Sequence, residues 1–301
     1  MPGIGIIANP NAKLNKRNPK RQKILYSLAK EAGRLKITNN IEELHQAAHD
    51  FYKESIEILA IIGGDGTISR TISTFIDNYQ NKPLPFVAIL RGGTANNIAD
   101  NLGIKSSPEK NLQKLIQLHK SSKVITTTQL PSLVIDNRYG FLFADGVCAY
   151  FLKEFYKEKK GIPGAIFLVV RLFISQIFST PLFKETIKQE HTQLIYSNKK
   201  RIDHYSCSTL CSTLKKIPLG IPYFFKTNAC EFECISVTTK PRDLSWKYVP
   251  KALLMPKLNQ KEQVSFCTQD LTVIKDHPFL YTLDGELYRT NKNQINQEFR
   301  T

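Results

Sequence analysis

The chain has 301 residues, with 42 lysines and arginines against 26 aspartates and glutamates, a formal net charge of +16. Its 42% apolar and 23% charged content excludes bulk disorder, and 15 glycines and 15 prolines without a period exclude a collagen-like or low-complexity chain. Such a charge favours anionic partners and leaves nucleic acid, nucleotide phosphate and an acidic bilayer all open.

The N-terminal sequence has no basic region ahead of a long apolar run, so the expectation is a cytosolic chain without a signal peptide. Ile4–Ala8 is a short β-like run ending at Asn9-Pro10, a turn dipeptide. A basic, helix-compatible stretch follows over Lys20–Leu35. Ile41–Lys53 places Leu44, Ala47, Ala48 and Phe51 at helical spacing. Ile56–Ile62 is a continuous apolar run meeting Gly63-Gly64, which predicts a buried strand entering a tight loop. Ser69–Tyr79 reads as helix, Phe86–Leu90 as a second buried strand, and Thr94–Leu102 as helix. This alternation predicts an α/β N-terminal domain over residues 1–126, a parallel sheet with helices on both faces. Ligand loops in such folds lie beyond the carboxyl ends of the strands. Two glycine-rich loops stand there, 63–67 and 92–94.

The texture then changes. Residues 127–301 hold short strand-like runs at Ser132–Ile135, Gly140–Phe143, Gln193–Tyr196, Ile235–Thr239, Gln263–Thr268, Leu271–Ile274 and Phe279–Leu283. They predict a mostly antiparallel, β-rich second domain, with the last residues as candidates to return to the first. One apolar helical segment, Ile162–Phe178, is broken by Pro163, Arg171 and Gln176. A bilayer span needs about 20 apolar residues, so a buried or surface-lying helix is expected. Six cysteines stand at Cys148, Cys207, Cys211, Cys230, Cys234 and Cys267. The spacing of Cys207/Cys211 and Cys230/Cys234 suggests metal half-sites, but it suits a helix, and these stretches read as strand or loop. Reduced cysteines are expected.

Gly63-Gly64-Asp65-Gly66-Thr67 is the strongest local signal. Glycines let backbone approach a phosphate closely, and a following helix offers free N–H groups and its positive dipole end. Asp65 adds a carboxylate where Mg²⁺ or a substrate hydroxyl needs one. This pattern is neither a Walker loop nor a dinucleotide fingerprint.

These residues resemble the nucleotide loop of the diacylglycerol kinase catalytic-domain superfamily, which includes diacylglycerol, sphingosine and related bacterial lipid kinases. NAD kinases and phosphofructokinases share that loop. The second loop separates them: Gly93-Thr94-Ala95-Asn96-Asn97-Ile98-Ala99, then Leu102-Gly103-Ile104, is similar to the lipid-kinase pattern. Ile7-Ala8-Asn9-Pro10-Asn11-Ala12-Lys13 resembles the family's N-terminal Asn-Pro loop, and Leu283-Asp284-Gly285-Glu286 its Asp-Gly-Glu element. By itself the last would read as a turn between two strands.

The resemblance implies a two-domain kinase holding ATP and Mg²⁺ in a cleft between its domains. It places ATP phosphates against Asn9, Pro10, Asn11, Ala12 and Lys13, against Gly63, Gly64, Asp65, Gly66 and Thr67, and against Thr94 and Asn96. Thr38 matches a nucleotide-contacting threonine. Asp65 would act through Mg²⁺, Glu286 would be the general base toward a lipid hydroxyl, and Asp284 would stand nearby as a further catalytic carboxylate. Three departures stand out. Asn97 replaces an aspartate, Arg91-Gly92 precedes the second loop, and Lys226–Glu233 lacks the acidic pair that holds a structural Mg²⁺ in bacterial members.

The expected function is therefore ATP-dependent phosphorylation of a lipid such as diacylglycerol. A kinase of a soluble acceptor (NAD or a sugar) and a member that binds nucleotide or lipid without turnover stay open. The first 36 residues carry nine Lys/Arg and one Glu, and further clusters include Lys199-Lys200-Arg201. They suit transient, peripheral contact with an anionic membrane. No nucleic-acid module or recognition helix appears, and oligomeric state is not encoded in these motifs.

Overall fold

The computed structural model describes residues 3–12, 19–32, 34–80, 82–93, 96–121, 124–158, 161–178, 180–197, 199–215, 232–243 and 260–300. The chain divides into two compact units, one formed mainly by residues up to Gln129 and one mainly by residues from Leu130 on.

The first unit alternates strand and helix: β1 (Ile4–Ala8), α1 (Pro19–Glu31), β2 (Leu35–Ile37), α2 (Ile41–Lys53), β3 (Ile58–Gly63), α3 (Asp65–Tyr79), β4 (Phe86–Arg91), α4 (Asn97–Asn101) and α5 (Pro108–Lys120). The four strands are parallel, in the order β2-β1-β3-β4. Both faces are covered, for a reason visible in the strand residues. Ile4, Ile6, Ile58 and Ile62 join Leu25 of α1 and Leu112 of α5 in one apolar cluster. The alternate residues turn the other way, where a side chain on Gly5 would strike Phe51 of α2 and Ile56. Phe51 and Phe75 of α3 pack there with ring centres 6.3 Å apart. Burying each such side chain contributes about 1.5–3 kcal/mol, so β1 and β3 hold the unit together from both sides. Helix α2 starts where the sequence signals it: Asn40 accepts from the Glu43 N–H, and Glu43 accepts in return from the Asn39 N–H.

Some boundaries moved. Leu35 belongs to β2, not to the helix before it, and the helix after the second glycine loop shortens to five residues. Helix α5 was not expected, although Ser107 caps it and Pro108 stands in its first turn.

Beyond Gln129 the chain forms β5 (Ser132–Ile135), β6 (Arg138–Gly140), β7 (Leu142–Asp145), α6 (Gly146–Glu158), α7 (Gly161–Ile177), α8 (Pro181–Thr186), β8 (Glu190–Tyr196), β9 (Lys200–Ser206), β10 (Ser208–Ser212), β11 (Phe232–Val237), β12 (Gln263–Thr268), β13 (Asp270–Lys275), β14 (Leu280–Leu283), β15 (Glu286–Arg289) and β16 (Gln294–Arg300). One sheet runs β12-β11-β10-β7-β14-β15 and the other β6-β5-β16-β13-β8-β9. Leu133, Leu194 and Val273 from the second sheet join Phe143, Phe232 and Tyr281 from the first in one core, a sandwich arrangement.

Where one helical segment was expected in this half, the described residues include the three α-helices α6, α7 and α8. Helix α6 escapes notice because it leaves β7 directly through Gly146, at φ +53°, without cap or turn residues. Strand β16 escapes because Gln297, a polar residue, fills one of its buried positions. The five described cysteines are free, and Cys211 lies directly across the ladder from Cys234.

Candidate active site

Four strand ends line up at the carboxyl edge of the first sheet. After β1, the Asn9 N–H donates to the Ile62 carbonyl at 3.1 Å, and its side-chain amide donates to Thr67 Oγ1 at 3.0 Å. Asn9 Oδ1 accepts the Asn11 N–H at 2.8 Å, and the Ala12 N–H returns to the Asn9 carbonyl. Asn9 is thus a brace between the first loop and the loop after β3. Pro10 and Asn11 stay accessible beside it, while Ala12 is buried. After β2, Thr38 is nearly buried and its N–H donates to the Ala8 carbonyl at 3.0 Å. Lys13 and Thr94, expected at the phosphates, lie outside the described residues.

The glycine loops after β3 and β4 touch backbone to backbone. The Gly92 N–H donates to the Gly63 carbonyl at 2.8 Å, and a Cβ on Gly93 would lie 2.4 Å from Gly64 Cα. A Cβ on Gly63 would lie 2.4 Å from Thr67 Cβ. Side chains are excluded here because two backbone segments and the Thr67 side chain share the space. Helix α3 begins directly after Gly64, and no side chain caps its start. Its first N–H groups and positive dipole end are therefore available to an anion.

Asp65 joins the two loops. Its Oδ2 accepts the Asn97 N–H at 3.0 Å and its Oδ1 the Ile98 N–H at 3.1 Å, so it caps α4 across 32 residues of sequence. Burial pushes its carboxyl up, and the two N–H bonds pull against that shift. Asn96 adopts the left-handed conformation at φ +51° and is buried. Its amide is spent on Gly93, accepting from that N–H at 2.9 Å and donating to that carbonyl at 2.8 Å. Asn96 thus shapes the loop rather than presenting its side chain to a ligand. Arg91 is likewise engaged, pairing with Asp100 and donating to the Ile104 carbonyl at 2.7 Å.

The other expected carboxylates belong to the second unit. Asp284 and Gly285 have φ of +49° and +86°, and Leu283 pairs with Glu286, so the two residues form a tight β14–β15 hairpin turn. The turn reading of this motif is thus realised. Asp284 accepts the Phe141 N–H at 3.0 Å and the Leu142 N–H at 2.9 Å, which pins the turn to the adjacent strand. Gly140 has no side chain because Leu283 and Asp284 occupy that space. Glu286 is half-buried at the start of β15. Tyr156 of α6 donates to the Gly285 carbonyl at 2.6 Å, and its hydroxyl is pushed up by burial and then by the Glu286 charge. Motif reasoning did not single out Tyr156, since it lies 129 residues before Gly285 and in a helix that carried no sequence signal. It also missed a buried charge cluster in which Lys275 Nζ meets Asp145 Oδ2 at 3.0 Å and Glu190 Oε2 at 3.1 Å.

The described residues contain no group of three or more His, Cys, Asp or Glu side chains that could hold a metal alone. Mg²⁺ asks for less: one or two carboxylates suffice when phosphates supply the other oxygens. Asp65 fits that role, because a carboxylate offers about four acceptor positions and two are used by N–H groups. Of the stretch Lys226–Glu233, only Phe232 and Glu233 are described, both on β11.

Glycine loops at the ends of parallel strands, a helix start without a side-chain cap from Gly64 and one carboxylate beside it are features that suit an α/β domain to anion binding. The family model of the diacylglycerol kinase catalytic domain matches residues 4–128. The match spans the α/β part of the chain, which has the fold of that kinase catalytic domain. Among solved structures the chain is similar to a diacylglycerol kinase from Bacillus anthracis str. Sterne, at 15% identity and TM-score 0.65, covering 99% of this chain and 93% of that one. A second structure from that organism gives 15% identity, TM-score 0.69, and coverage of 99% and 94%. Yeast NADH kinase complexed with NADH gives 9% identity, TM-score 0.51, and coverage of 99% and 81%. No curated protein matches the chain. No helix among the described residues is long and apolar enough to cross a membrane.

Proposed function

We propose that the protein is an ATP-dependent lipid kinase that transfers the γ-phosphate to a lipid hydroxyl, with diacylglycerol or a related lipid as acceptor. The observation that carries this reading is the paired glycine loops, held backbone to backbone with Asp65 between them, inside a matched diacylglycerol kinase catalytic domain. The N–H groups at the start of α3 bind the phosphates, and Asn9 and Asn96 hold the loops in register. Asp65 is the residue that would hold Mg²⁺, which when bound neutralises charge on the phosphates. Glu286 accepts the proton of the acceptor hydroxyl as its oxygen bonds to the γ-phosphorus and the bond to the ADP oxygen breaks. Asp284 positions Glu286 by fixing the turn that carries it. The acceptor binds in the second unit, and the protein meets its substrate by transient, peripheral contact with an anionic membrane.

A kinase of a soluble acceptor is the second reading, favoured by the fold likeness to yeast NADH kinase. Incubation with γ-labelled ATP and either a lipid extract or a soluble-metabolite extract separates the two. Label in the lipid pool is the expected result, and label confined to the soluble pool overturns it. ATP-dependent thermal stabilisation without label in either pool identifies a nucleotide-binding member without turnover.

A further inference from the structure

Helix α7 buries and exposes the wrong residues for an ordinary surface helix. Its inner face carries Leu168 and Leu172, 1% and 3% exposed, but also Ser175 and Gln176, each 6% exposed. Those two polar groups are used inward: Ser175 donates to the Leu172 carbonyl at 2.9 Å and Gln176 to the Arg242 carbonyl at 3.3 Å. The outer face is the apolar one. Phe167, Val170, Ile174 and Ile177 are 52%, 50%, 49% and 56% exposed, and Phe178, just past the helix end, is 73% exposed. Their spacing of three, four, three and one residues keeps them on one stripe. A soluble surface gains nothing from five large apolar side chains placed side by side in water.

The net charge around the stripe is positive. Residues 146–188, spanning α6 to α8, hold seven lysines and arginines and three glutamates, a net of 7 − 3 = +4. Exposed Arg171 lies within the stripe, and Lys153, Lys157 and Lys184 are exposed on the two neighbouring helices. Arg171 also lines an open groove of about 460 Å³ with Ile174, Phe178, Pro181 and Leu182. A guanidinium beside apolar walls matches a phospholipid, phosphate above and acyl chain below.

We propose that this outward face of α7 is the surface on which the protein settles on an anionic lipid bilayer. The inference deepens the lipid-kinase reading by naming the surface of contact. Phe167, Val170, Ile174, Ile177 and Phe178 enter the interface with the helix lying in its plane, and Arg171 meets lipid phosphate. Helix α6 packs against α7 on one side and against β14 and β15 on the other, and Tyr156 ties it to the turn that carries Glu286. Docking by α7 therefore brings one wall of the acceptor site to the membrane with it.

Co-sedimentation of the full chain with phosphatidylcholine vesicles, with and without phosphatidylglycerol, tests this directly. The wild type is expected to pellet with the anionic vesicles and to be released by salt. The double variant Phe167→Ser/Phe178→Ser is expected to weaken vesicle binding by about a hundredfold or more, because two large apolar side chains no longer leave water. Arg171→Gln, an exposed change that spares the core, is expected to weaken binding to anionic vesicles alone by about fivefold. Wild-type pelleting by both variants overturns the proposal. So does a wild-type dimer in light scattering that the double variant dissociates while neither protein pellets, because the face then belongs to a second copy. Turnover on a short-chain, monomerically dissolved acceptor is expected to stay at the wild-type value in both variants. If no lipid acceptor is ever phosphorylated but the vesicle results hold, the kinase reading fails and the docking surface stands.

Discussion

Asp65 and Asp284 occupy the same sequence environment, an aspartate followed by glycine in a loop at a strand end, and both carboxylates accept two backbone N–H bonds. They differ in what surrounds those bonds. Asp284 sits in a hairpin turn, its own N–H bonded to the Leu142 carbonyl while its oxygens take the Phe141 and Leu142 N–H groups. It is enclosed between adjacent strands. Asp65 caps a five-residue helix from across a loop and stands at the start of α3, where Gly64 offers no side-chain cap. Motif matching treats the two alike. The geometry separates a carboxylate that pins a hairpin turn from one that links two glycine loops at a helix start, and in the proposed mechanism the reacting group is Glu286, the residue paired with Leu283 across that turn.

The largest expected effect is on turnover. Glu286→Gln keeps shape and removes the base, so kcat should fall about 10²–10⁴-fold while the melting temperature stays near the wild-type value. A variant with wild-type turnover would show that the hydroxyl is activated elsewhere. The converse is expected at Asp284. Asp284→Ala strands two N–H groups and places alanine at a left-handed φ, which costs about 2–4 kcal/mol. Scanning calorimetry should show this as a fall of roughly 5–15 °C. Asp284→Asn, which keeps an acceptor oxygen and tolerates that φ, should recover much of the loss. Were Asp284→Ala to leave stability intact and abolish turnover, the division between holding and reacting carboxylates would be wrong.

This division also marks how far the sequence could be read. The parallel sheet was legible because Ile4–Ala8 and Ile58–Gly63 are nearly unbroken apolar runs, the pattern of strands buried on both faces. The glycine loops were legible because glycine is demanded by close backbone approach, and Gly63, Gly64, Gly92 and Gly93 supply it for each other. What resisted reading depends on partners far along the chain. Arg91 departs from the pattern the loop resembles, and only the fold shows that Asp100 and the Ile104 carbonyl hold it. The resemblance places Asn96 at the nucleotide, and the fold closes its amide on Gly93. Lys275, in a strand that otherwise alternates apolar and polar, gives no sign that its partners are Asp145 and Glu190. Local pattern reports period and punctuation, whereas these roles follow from which side chains the fold happens to bring together.

A smaller effect tests the exposed half of the comparison. Asp65 must be ionised to hold a metal, and burial raises its pKa above the ordinary value of 3.8. The acid limb of kcat/KM, which reports the free enzyme, should therefore lie above the range of an exposed aspartate, and Asp65→Asn should lower turnover and flatten that limb. The sign for stability is opposite. A raised folded-state value means the protonated form is favoured on folding, so this contribution is present below 3.8 and lost as pH rises through the folded value. An acid limb at the ordinary aspartate position would show that Asp65 meets solvent in the free enzyme.

The smallest change concerns Asn97, the residue whose N–H Asp65 accepts. An aspartate there, as in the pattern this loop resembles, would begin α4 with a second carboxylate beside the first. The helix start favours it by about 0.3–1 kcal/mol, and repulsion from Asp65 opposes it. Asn97→Asp should therefore leave the melting temperature nearly unchanged. Its effect should appear in metal dependence, because two carboxylates attract Mg²⁺ more strongly than one. The Mg²⁺ concentration for half-maximal turnover should fall several-fold, and the acid limb should move further up as the like charges hold each other protonated. If neither moves, the side chain at 97 is out of reach of the bound triphosphate. Asp65 would then be the only carboxylate of the two loops that the metal meets, and the present asparagine would be a neutral replacement rather than a weakened site.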